Sequence, residues 1–219
     1  MENKSISNNS AARIIASTFG ILSGLGGITH GIGEMLQGNV TPSGIVINSW
    51  AQGPIATNMG GEPAMTIIPN LLITGLLTIA ISSAAIVWSS AFVQRKHGGL
   101  ILILLSVAVL LVGGGFAPPI MGILAGVAGL GINAHKWWGA RLPISIQHFL
   151  AKSWLWVFGI CLINGIFLVV GSIILVYFFD LNNPDLFVNS FFFAIVSLLL
   201  SITTGAAYDV EKGYRVVVS

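Results

Sequence analysis

The sequence predicts an all-α fold, a polytopic integral membrane helical bundle of about six membrane segments. Three observations predict it. The 219 residues include only nine Lys and Arg and seven Asp and Glu, 7% in all, against about 25% in an ordinary soluble domain. Hydrophobic residues make up 55%, and mean hydropathy is +0.92. Charges are also separated by long empty stretches, from Arg13 to Glu34, Glu62 to Arg95, Lys96 to Lys136, Lys152 to Asp180 and Asp185 to Asp209. Each can house a crossing of about 20 residues. This composition argues against a soluble surface, a disordered chain and a nucleic-acid-binding face. The single Cys161 allows no disulfide within the chain and no Cys-based metal site.

A polar tail, residues 1–12, leads into the first segment, 13–36. The stretch 37–65 reads as a loop with at most a short interfacial helix, because Gly, Pro, Asn and Ser dominate it. The second segment covers 66–93. Between Lys96 and Lys136, Gly113-Gly114-Gly115 and Pro118-Pro119 form a strong breaker, since Gly relaxes the backbone and Pro removes a donor. They divide the stretch into 99–115 and 118–134, short for full crossings and suited to a tilted or re-entrant pair.

Basic residues decide between one passage and two, because they collect in cytoplasmic loops. With 99–134 returning on itself, all nine Lys and Arg fall on one side. With a single passage, Lys136, Arg141 and Lys152 fall on the other. The return path places both termini in the cytoplasm and suits the cell membrane. Residues 135–152 mix bases with Trp and Ile and read as an interfacial stretch. Trp88, Trp137, Trp138, Trp154 and Trp156 form an aromatic belt at that boundary. The last segments are 153–179 and 189–208, so a single transmembrane domain spans 13–209 and a cytoplasmic tail covers 210–219.

The chemistry concentrates at the end of the first segment. His30, Glu34 and Gln37 lie within about 60° of arc on one helical face, and Ser23 and Gly26 extend that stripe. Ile21, Leu25, Ile28, Ile32 and Leu36 form a greasy opposite side suited to lipid. Glu62, Asn70 and the Gly113, Gly114, Gly115, Pro118, Pro119 turn are expected at the same level, around an outward-facing pocket covered by 37–65. A His–Glu pair can share a proton or ligate a divalent cation. His30 and Glu34 are however fewer ligands than the three a zinc site needs, and no cofactor is named by any motif. A second reading leaves Glu34 solvated among headgroups at the helix end. Asn164 beside Gly165 reads as an interhelical hydrogen bond with close packing, and the Gly20, Gly24, Gly27 and Gly31 series as a helix-contact stripe.

Three functions compete. The first is small-ligand, ion or proton binding or transport at the polar pocket. The second is a non-catalytic subunit or assembly factor of a membrane complex. The third is an intramembrane enzyme on a lipid-like substrate, ranked last because no nucleophile or third catalytic group accompanies His30 and Glu34. The expected partners are the lipid bilayer and either further copies of the chain or a partner membrane subunit, without nucleic acid.

Overall fold

The computed structural model describes residues 10–133 and 143–213. Its first helix, α1 (Ala11–Leu36), opens on Ser10, whose side chain accepts from Arg13 N at 3.3 Å. Asp209, from the far end of the chain, takes the Ala11 and Ala12 amides at 2.6 and 3.1 Å. Donors that a helix N-terminus leaves unmatched are thus met by a buried carboxylate. The helix ends at Gln37 before Gly38, which has φ +81.

A small cap follows where a loop with at most a short helix was expected, and the strand pair is the new feature. Strand β1 (Val46–Asn48), helix α2 (Pro54–Asn58) and strand β2 (Pro63–Met65) fold together, with Val46 opposite Met65, Ile47 opposite Ala64 and Asn48 opposite Pro63 in an antiparallel pair. The branched run Ile45-Val46-Ile47 suits a strand. Left-handed Gly60 and Gly61 turn the chain back before β2.

Helix α3 (Leu71–Ala91) starts at Asn70, whose side chain accepts from Ile73 N at 3.0 Å. It lies against α1 almost backbone to backbone. A methyl group on Gly31 would come within 2.8 Å of Gly75 O, and one on Gly75 would overlap Gly31 O. This is the small-residue packing by which membrane helices approach, where no hydrophobic effect drives them together. Farther along, Gly27 makes room for Ser82 and Gly20 for Ser89.

Helices α4 (Gly98–Leu111) and α5 (Ala117–Leu130) make the returning hairpin. At 14 residues each, they reach about 21 Å, short of the roughly 30 Å hydrocarbon layer. The joint is Val112–Phe116, with Gly113 at φ +111 and Gly115 at φ +74. Pro118 and Pro119 stand in the first turn of α5, where an absent N–H breaks no helical bond. A short 3-10 turn, Gly131–Asn133, follows.

Helix α6 (Ile144–Ile166), a π-helical turn (Phe167–Gly171) and helix α7 (Ser172–Phe179) run on as one 36-residue rod, about 54 Å long. Residues 144–152, expected as an interfacial stretch apart from the span, are helical and continuous with it. No breaker separates Pro143 from Ser153, so these residues wind into the same helix. The rest of that stretch, with Lys136, Trp137, Trp138 and Arg141, lies outside the described residues, as do Lys4 and Arg215. Helix α8 (Pro184–Glu211), capped by Asn183 on Leu186 N at 3.1 Å, returns along α6. Asn164 donates to Ser190 O across that pair at 2.9 Å.

The hydrophobic core joins the two parts of the bundle through Ile15, Phe19, Leu102, Met121, Cys161 and Leu198. Among the described residues four helices, α1, α3, the α6–α7 rod and α8, are long and apolar enough to cross a membrane, and α4 and α5 add two shorter apolar helices. The protein is an all-α integral membrane bundle. The described bases Arg13, Arg95, Lys96, Lys152 and Lys212 sit near the end where α1 begins and α8 finishes. Glu34, Glu62, Asp180 and Asp185 sit at the opposite, capped end.

Candidate functional site

The capped end holds a buried polar cluster centred on α1. Helical spacing puts Ser23, Gly26, His30 and Glu34 on the buried side, while Leu25, Ile32 and Leu36 are exposed. Glu34 is 0% exposed, which removes the reading of a carboxylate solvated among headgroups. A buried carboxyl group needs partners. Ser49, just after β1, lies with its Oγ 3.1 Å from Glu34 Oε1 and 2.8 Å from His30 Nδ1. Thr78 of α3 approaches Glu34 Oε2 at 3.5 Å and donates to Val112 O at 2.5 Å. Beside it Thr66 and Thr74 share a hydrogen bond of 3.0 Å.

The glycine bend is part of this cluster. A methyl group on Gly113 would overlap the Glu34 carboxylate, and one on Gly115 would overlap the His30 ring. Both glycines also have positive φ, so two independent constraints exclude larger residues there. Gly114 lies against Val109 and does not face the ionisable groups. Pro118 accepts from Ser23 through its carbonyl at 2.6 Å and packs against Gly26. Pro119 is buried in the α5 first turn.

His30 and Glu62 face a cavity of about 270 Å³ between α1, the cap, the start of α5, the π-helical turn and the start of α8. That is just below the roughly 300–1,000 Å³ of drug-sized ligand sites. His30 Nε2 and Glu62 Oε2 are 3.6 Å apart, too far for a hydrogen bond. Glu62 Oε2 is buried without a hydrogen-bond partner among the described residues. The Glu62 backbone lies in the left-handed region, φ 51, after Gly60 at +69 and Gly61 at +79. Such a conformation is strained for a residue with a side chain, and strain of this kind gathers at ligand clamps. Met59, Phe116, Met121, Val169 and Phe187 supply an apolar wall.

Two residues grouped with this pocket on sequence grounds do other work. Gln37 donates to Asn48 O and Ser49 O, at 3.0 and 2.8 Å, and so clasps β1 onto α1. It faces a second hollow of about 450 Å³, shared with Trp50 and Leu71 and free of ionisable side chains. Asn70 caps α3 and donates to Asn39, and it does not line the His30 cavity. Ser49 and Thr78, central to the cluster, were not singled out by the sequence. Thr74, Thr78 and Ser82 do recur at four-residue spacing on α3, a stripe that marks a buried polar face. Ser49 carries no such mark.

Among the described residues no three His, Cys, Asp or Glu side chains converge as a metal centre requires. The arrangement is a linear chain, Glu34–Ser49–His30–Glu62, that runs from the protein interior to a cavity wall. Such a chain can offer hydrogen bonds and charge at the cavity wall. No protein-family model, curated protein or solved structure matches this chain.

Proposed function

We propose that this protein is a binding or transport protein of the cell membrane, which holds a small ligand in the cavity beside His30 and Glu62. The observation that carries the reading is a buried Glu62 oxygen, without a hydrogen-bond partner among the described residues, on the wall of a hollow of about 270 Å³. An acceptor left unpaired in a buried place costs about 1–3 kcal/mol, and a bound donor removes that penalty. The π-helical turn at Phe167–Gly171 supports the same reading, because it forms part of the cavity wall and such bulges gather at functional sites.

The cavity opens outward in this proposal. The described bases near the opposite end support that direction, since Lys and Arg collect on the cytoplasmic side. Native mass spectrometry of the protein extracted from its host membrane into nanodiscs tests the reading. Wild type is expected to carry a bound small-molecule mass. Ala117→Phe, which narrows the cavity from a half-buried position, is expected to lose that mass while keeping its thermal midpoint. Identical mass profiles for the two proteins would reject the proposal.

A further inference from the structure

Resting on that reading, we infer that the ligand is a compact organic ammonium, a protonated amine on a short apolar body, held between His30 Nε2 and Glu62 Oε2. The inference follows from counting protons along the chain. Ser49 has one hydroxyl proton and two neighbours, Glu34 Oε1 at 3.1 Å and His30 Nδ1 at 2.8 Å. With no proton on Glu34 Oε1, that oxygen only accepts, and the Ser49 hydroxyl donates to it. In that arrangement the Ser49 oxygen accepts, and His30 Nδ1 carries the hydrogen. A proton on Glu34 Oε2, donated to Thr78, which itself donates to Val112 O, leaves this assignment unchanged.

With its hydrogen on Nδ1, neutral His30 presents a lone pair at Nε2. That lone pair meets Glu62 Oε2 at 3.6 Å, where the oxygen has no hydrogen-bond partner among the described residues. Two acceptors thus stand side by side on the cavity wall. A group with several N–H donors and positive charge satisfies both. An anion is repelled by Glu62, and a hydrocarbon leaves both acceptors empty. A bare inorganic cation such as calcium wants about six to eight oxygens, and Met59, Met121, Val169 and Phe187 offer none from their side chains. These side chains do suit a short apolar body.

The test titrates n-hexylammonium, n-hexanol and hexanoate into nanodisc-embedded wild type and Ala117→Phe by saturation-transfer NMR. The blocked variant subtracts partitioning into lipid. Hexylammonium is expected to bind about tenfold or more tightly than hexanol, and Glu62→Gln should abolish that preference while leaving hexanol bound. The wild-type ranking decides even where Glu62→Gln fails to fold. Equal binding of alcohol and amine, or preference for hexanoate, overturns the ammonium assignment and leaves the cavity reading standing. Failure of every probe to distinguish wild type from Ala117→Phe overturns both.

Discussion

Ser49 has an outsized role for a hydroxyl in a loop. It is 0% exposed and is the polar link between Glu34 and His30. Ser49→Ala leaves both groups buried with one partner fewer, which is expected to destabilise the protein by about 1–3 kcal/mol. Ser43→Ala, on an exposed residue of the same loop, should fall within about 0.5 kcal/mol of wild type. Denaturant unfolding in micelles measures both. Equal stability of the two variants would show that the link carries no weight. The His30–Glu34 pairing on one buried face was legible, because it follows from 3.6-residue periodicity alone. The convergence of Gly113 and Gly115 on that pair was partly legible, through the breaker between two short apolar runs. Ser49 was not, since its place depends on how a cap folds over α1, which leaves no periodic trace. Gln37 was grouped with the site by helical face and Asn70 by level along the membrane, and neither coordinate tells a ligand-facing side chain from a clasp or a helix cap.

Helices lie in the long charge gaps outside the cap, because the same desolvation penalty that empties a segment of charge also demands internal backbone hydrogen bonds. The cap and the start of α6 departed from expectation for opposite reasons. In the cap, β1 and β2 are three residues each, too short for alternation to stand out among turn residues. At α6, Trp and Lys suggested an interface, yet nothing between Pro143 and Ser153 interrupts a helix. The joining of α1 to α8 was also hidden, although it is testable at this scale. Asp209 spans 198 positions in sequence to cap Ala11. Hydrogen bonds to a charged group are worth about 1.5–3 kcal/mol, and an acid at a helix N-terminus gains from the aligned peptide dipoles. Asp209→Ala is therefore expected to destabilise by about 3 kcal/mol and to expose the first turn of α1 to amide hydrogen exchange. Asp209→Asn, which keeps an acceptor, should lose less. Unchanged protection at Ala11 and Ala12 in Asp209→Ala would count against the cap.

For the molecule as a whole, the hairpin of α4 and α5 determines which loops share a side. A methyl group on Gly99 at the start of α4 would overlap Leu130 N at the end of α5, so the two helices go in and return. The segment before α4 and the start of α6 then lie together, opposite the cap and the α7–α8 turn. Charge supports assigning the first pair to the cytoplasm. Single cysteines in a Cys161→Ala background turn this into a measurement, using a membrane-impermeant maleimide on intact cells or spheroplasts. Thr41→Cys and Asn182→Cys, both at exposed positions, are expected to label before lysis. Lys96→Cys and Ser145→Cys, also exposed, are expected to label only after it. Reversal of both pairs would keep the hairpin and turn the His30 cavity to face the cytoplasm, which would change the ligand pool it samples. Labelling of Lys96→Cys and Ser145→Cys from opposite sides would break the hairpin itself. The contact of Gly113 and Gly115 with Glu34 and His30 requires that hairpin, so the cavity could not then take the form described.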